Sequence, residues 1–273
     1  MKKIILSALL LSVTAIAGAQ EPVAIRKQGH FSVGGTTIQR LGTYDNRKFV
    51  GWAEQEETGQ SYRADHAFVD YQIPADSKLL PLVYVHGYGG SGVCWQMTPD
   101  ISDHKQDVPA LGALAKRIGN HILVTHSAGG FPGWMSAMQN TEVKAVVSYE
   151  PGGFVFPEDE VPERIDGLTG GVAGTPVSME QFKRLTEIPI VLYFGDYIPE
   201  TPSENLGDEN WRVRLQMARK FVEAVNRHGG NATLVELPKI GIYGNTHFLM
   251  QDLNNDKLAE LLDEWLIKNG LSK

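Results

Sequence analysis

The sequence predicts an α/β fold in which a mostly parallel, doubly wound sheet follows a few N-terminal antiparallel strands. Nearly continuous apolar runs at 79–85, 122–125, 143–148, 188–194 and 232–237 read as strands covered on both faces. Segments with helical periodicity lie between them, and strands alternating with helices build a parallel sheet. A change of character near residue 75 sets this body apart from an earlier part in which polar and apolar residues alternate.

In chain order, Lys2-Lys3, an apolar stretch over 4–17 and the small residues Ala17-Gly18-Ala19 form the pattern of a secretory signal peptide cleaved after Ala19. The stretch is too short and wrongly flanked for a stable membrane span. Residues 20–273 are then expected to form one domain, secreted or periplasmic. Phe31-Ser32-Val33 before Gly34-Gly35, and the alternating run 67–73, argue for antiparallel strands. The strand at 79–85 ends in His86-Gly87. A helix over 108–118 follows, with Leu111, Leu114, Ala115 and Ile118 on one face. The strand at 122–125 runs into Ser127 and another helix. Residues 151–186, rich in Gly, Pro and acidic side chains, read as an excursion over the active-site edge. Helices over 211–227 and 256–269 complete the pattern, the latter with Gly270 as its C-cap. The interval 86–127 has room for a single crossover helix, so the sheet is expected to lack one parallel strand and to set the strands at 79–85 and 122–125 side by side.

Composition excludes several partner classes. The formal charge is −7, and removal of Lys2 and Lys3 makes it more negative, which disfavours nucleic acid or an anionic membrane as a partner. A neutral or apolar small molecule is the expected substrate. Cys94 is the only cysteine, so no disulfide framework is implied. No Cys/His grouping has metal-ligand spacing, and neither metal nor organic cofactor is expected.

The segment Thr125-His126-Ser127-Ala128-Gly129-Gly130 is an apolar strand entering a small-x-Ser-x-Gly turn and then a helix. Such a turn exposes a serine Oγ at the carboxyl edge of the sheet, and the helix start supplies an amide where an oxyanion forms. An ordinary N-cap serine gives the same local pattern. The upstream His86-Gly87-Tyr88-Gly89-Gly90 favours the nucleophile, because glycines let a backbone N–H face a substrate oxygen. Tyr88 and Ala128 are the candidate amides, and His86, Gly87 and His126 are expected to shape the substrate pocket. The base should come late in the chain. His247, in the loop Gly244-Asn245-Thr246-His247, fits; the alternative is a solvated loop histidine, while His228 reads as a helix C-terminal residue. For the acid there are two positions. Asp196 after Gly195 reads as a turn residue bonding its own backbone, whereas Glu150 ends the strand at 143–148 at the catalytic edge and is preferred.

These residues resemble secreted bacterial α/β-hydrolases of the esterase 713 type. The matching pieces are Phe31-Ser32-Val33-Gly34-Gly35, the His86-Gly87 loop ending in Cys94-Trp95-Gln96, the Ser127 turn, Ser148-Tyr149-Glu150-Pro151-Gly152, and Gly244-Asn245-Thr246-His247. The resemblance implies Ser127 as nucleophile, Glu150 as acid, His247 as base, and carboxylic esters as substrates. That type can carry paired cysteines beside the oxyanion loop, where this chain has Tyr88-Gly89. An amidase or lactonase stays open, as does a non-catalytic binding protein on a hydrolase scaffold.

Overall fold

The computed structural model describes residues 24–40, 60–77, 80–88, 107–168 and 170–272. The expected signal peptide, Cys94 and the glycines that follow Tyr88 lie outside them.

Strands β1 (Ile25–Arg40) and β2 (Gln60–Pro74) pair antiparallel as a long two-stranded ribbon. The main sheet has five parallel strands in the order β3 (Leu82–Val85), β4 (His121–His126), β5 (Val143–Tyr149), β8 (Pro189–Phe194), β9 (Asn231–Glu236). β3 and β4 are direct neighbours, pairing Leu82 with Ile122 and Val85 with Thr125. Helix α1 (Asp107–Ile118) precedes β4, so the interval read as one crossover contains one described helix, and no described strand intervenes.

The apolar runs are continuous because both faces of the sheet are covered. Successive side chains of a strand point to opposite faces. On one face Leu123, Val146, Ile190 and Leu192 pack with α1, α2 (Gly130–Gln139), α3 (Met179–Thr186) and α4 (Leu206–Arg227). On the other, Ile122, Val124, Val147 and Val191 pack with Leu258, Leu262 and Leu266 of α5 (Asn255–Lys268). Those three leucines recur every four residues, which puts them on one helical stripe.

Residues 151–186 carry regular structure beyond the sequence reading. They hold a short parallel pair, β6 (Val155–Pro157) with β7 (Thr175–Val177), followed by α3. Phe154 and Phe156 are buried and pack on Phe221 of α4, and the Trp134 indole N–H donates to Gly153 O at 2.9 Å. The segment leaves the sheet edge at Gly152, which bonds Ser127 O, and packs into the helical layer beyond it. α3 carries a start signal in the sequence, the capping box of Ser178 and Gln181. Gly and Pro density outweighed it.

Candidate active site

Three neighbouring strands deliver the candidate residues. Ser127 follows β4, Glu150 follows β5 and Gly195 follows β8, so all three lie at the carboxyl ends of adjacent parallel strands. Ligand sites of open α/β sheets form at that edge. Ser127 has φ of 54° and Glu150 φ of 41°, a left-handed backbone that side chains rarely adopt. Each turn is held by a backbone bond: Gly152 N donates to Ser127 O at 2.7 Å, and Glu150 N to Tyr193 O at 2.9 Å.

Small residues permit the close packing around Ser127. A Cβ on Gly129 would come 2.4 Å from His86 O, and one on Gly87 would come 2.8 Å from Ser127 Cβ. The loop after β3 thus lies against the serine turn. Tyr88, the residue after Gly87, and Ala128, in the single 3-10 turn before α2, follow from that contact to the same corner of the sheet edge. His86 Nδ1 donates to Gly87 O at 2.9 Å, bracing the loop.

His247 reaches this corner from the loop between β9 and α5. Its Nε2 lies 2.9 Å from Ser127 Oγ and its Nδ1 2.6 Å from Glu150 Oε2. The second carboxylate oxygen, Oε1, accepts from Gly195 N at 2.7 Å. Glu150 is 1% exposed, so both of its oxygens are committed inside the protein. Gly195 is itself required: a Cβ there would lie 2.7 Å from Asn245 O and 3.1 Å from Glu150 Oε1.

The loop bearing His247 is held from several sides. Thr246 N donates to Asp252 Oδ2 at 2.7 Å, and Asn245, fully buried, exchanges amide hydrogen bonds with Asn254 at 2.7 and 2.9 Å. Asp196 N donates to Asn245 O at 2.8 Å. The Asp196 carboxylate accepts from Tyr197 N at 2.8 Å and from Gly244 N at 2.9 Å. Asp196 bonds its own turn, as read from the sequence, and in addition clamps the histidine loop. Its side chain has no hydrogen bond to the imidazole.

His126, expected to shape the pocket, is buried beneath the site. It is 2% exposed, and its Nε2 donates to His247 O at 2.9 Å. Its ring packs on those of His247 and Phe248, with centroids at 4.5 and 5.2 Å. Burial, followed by the charge of His247, pulls His126 down to about 3, so it is neutral under ordinary conditions. A buried imidazole whose outer nitrogen is bound to a carbonyl joins the serine turn to the histidine loop. The sequence reading also missed Trp211. From the first half of α4 its ring stacks on His247 with centroids 3.9 Å apart. Nothing local to Trp211 signals this contact, which depends on how α4 crosses the sheet edge.

No family model matches the chain, and no curated protein matches it. Among solved structures, a novel bacterial esterase superposes with a TM-score of 0.71 at 21% identity, over 92% of this chain and 98% of that one. The fold is that of the α/β-hydrolases. A monoacylglycerol lipase from Paleococcus ferrophilus aligns with this chain at a TM-score of 0.44 and 13% identity, over 69% of this chain and 94% of its own. A poly(3-hydroxybutyrate) depolymerase from Bordetella parapertussis matches with 0.43 at 19% identity, over 80% and 87%.

Proposed function

We propose that the protein is a serine hydrolase that cleaves carboxylic esters through an acyl-enzyme, with Ser127 as nucleophile, His247 as base and Glu150 as acid. The observation that carries this reading is the unbroken relay from Ser127 Oγ through the His247 ring to Glu150 Oε2, at 2.9 and 2.6 Å. Nucleophile, base and orienting group each sit within hydrogen-bond reach of the next. The expected small-molecule ester and the export of the mature chain from residue 20 onward belong to the same reading.

The chemistry follows from the tautomer. Glu150 Oε2 can only accept, so His247 Nδ1 carries a proton and Nε2 is free to accept one from Ser127. Oγ attacks the ester carbonyl, His247 becomes the imidazolium, and Glu150 stabilises that cation. The Tyr88 and Ala128 amides are the proposed donors to the oxyanion. His247 then gives its proton to the departing alcohol, and a water deprotonated at the same nitrogen releases the carboxylic acid.

The test is turnover of p-nitrophenyl esters beside matched anilides and lactones by the wild type and Ser127→Ala. The reading expects esters to be cleaved fastest, with a loss of about three orders of magnitude or more in the variant. An alanine variant retaining a tenth of wild-type turnover contradicts it, and preference for anilide or lactone moves the substrate class.

A further inference from the structure

We propose that Arg214 is a recognition residue for an anionic group, a carboxylate carried by the ester substrate; this rests on the reading of Ser127 as nucleophile. Arg214 projects from α4 one turn beyond Trp211. Its Nε donates to Gly152 O at 3.1 Å, and Gly152 N in turn donates to Ser127 O at 2.7 Å. The guanidinium is therefore two hydrogen bonds from the backbone of the nucleophile. It also lies over the Trp211 ring, 5.4 Å from its centroid, and that ring stacks on His247.

Among the described residues Arg214 has no carboxylate within ion-pair distance, unlike its neighbours on the same helix. Arg212 is paired with Glu209, Arg219 with Glu236 and Glu200, and Arg227 with Glu160 and Glu223. Among the described residues the Arg214 hydrogen bonds go to neutral oxygens, Gly152 O, Asn210 O and Asn210 Oδ1. Burial, with no described acid to offset it, depresses its basicity. Half-buried charge is costly without a partner, and a side chain that only had to brace Gly152 O would not need to be a cation. Among the described residues Nη2 has no hydrogen-bond partner; the bonds described use Nε and Nη1. An arginine fork with a free nitrogen suits a planar carboxylate.

The acids closest to the site do not neutralise this charge. Glu150 is committed to His247 and Gly195, and Asp196 to Tyr197 and Gly244. Asp208 accepts from Ser203 Oγ and lines, with Glu150, Asp196, Trp211 and His247, a cavity of about 220 Å³ beside the proposed base; Trp211 separates Arg214 from it. The composition suggested a neutral substrate; a half-buried cation bonded to Gly152 O and to no described acid argues for the opposite.

The experiment compares three p-nitrophenyl or acetyl esters of matched size: one neutral, one with a carboxylate at the end of the acyl chain, one with a carboxylate on the alcohol. Wild type and Arg214→Gln, which keeps a donor for Gly152 O, are assayed at low and high salt. The proposal expects one anionic ester to have the lower KM in the wild type. In the variant its kcat/KM falls about tenfold or more beyond any fall for the neutral ester, and added salt weakens it in the wild type only. Whichever anionic ester responds locates the carboxylate. Equal losses on all three esters, or no wild-type preference for either anionic one, overturn it and leave Arg214 as a brace for Gly152. Calorimetric titration of Ser127→Ala and Ser127→Ala/Arg214→Gln with the same esters reads binding without turnover. Selective loss of anionic binding in the double variant supports Arg214 even where ester cleavage fails.

Discussion

Ser127 and Glu150 hold their positive φ angles at a cost of about 1–3 kcal/mol each, and both sit where a hydrogen bond to His247 depends on that backbone. Strain at these two residues fixes the directions of the proposed nucleophile and acid. Glu150→Gln keeps the shape of the side chain and removes its charge, so turnover should fall by about three to four orders of magnitude. Asp196→Asn touches only the clamp on Gly244 and Tyr197, and the loss in kcat should be far smaller. Steady-state kinetics of the two variants rank them; the reverse order would make Asp196 the supporting acid. Trp211→Leu should lower kcat more than it raises KM, because the lost contact is with the base.

Strand and helix assignments were legible where the signal was local. α1 and α5 fall within a residue of their expected limits, and Gly270 has the positive φ of a helix-ending glycine, 68°. The runs that become β4, β5 and β8 were legible because cover on both faces makes them uniformly apolar. α4 starts five residues before Trp211, at Leu206, since Asn205 caps Gly207 N and Asp208 N; that polar first turn lacks apolar periodicity. The core role of Phe154 and Phe156 was illegible because their partner, Phe221, is distant in sequence. Phe221 also meets Trp134 at 4.8 Å. Phe221→Ala should therefore destabilise the protein by about 3–5 kcal/mol in denaturant unfolding while leaving the residual turnover per folded molecule close to wild type. Gly129→Ala should be worse for function than its size suggests, as the added methyl collides with backbone at His86.

At the scale of the molecule, the carboxyl edge of the parallel sheet was foreseeable as the place for the candidate site, and Ser127, Glu150 and His247, which the structure brings within hydrogen-bond reach, could be picked out from the sequence. The contacts of His126 and the places of Trp211 and Arg214 could not be read, since they cross from β4 and α4 to other elements of the finished fold. His126 links these contacts to acid stability. Unfolded, it takes up a proton near 6.5; folded, only near 3. Between those values the unfolded state binds more protons, so stability is intact above 6.5 and declines as pH falls below it. Burial lowers His121 in the same direction. Glu209, held at about 2 by Arg212 against an ordinary 4.5, adds a decline between those values. Scanning calorimetry across pH should show Tm falling from about pH 6.5 and more steeply below about 4.5, with the upper part weakened in His126→Gln.

Whether Ser127 is an activated nucleophile is tested most directly by a fluorophosphonate, which reacts only with a serine whose proton a base can remove. Intact-mass and peptide analysis after labelling should find one adduct, on the peptide containing Ser127, absent from Ser127→Ala and strongly reduced in His247→Ala. A folded wild-type protein that takes no adduct, or takes it on another residue, would contradict the account.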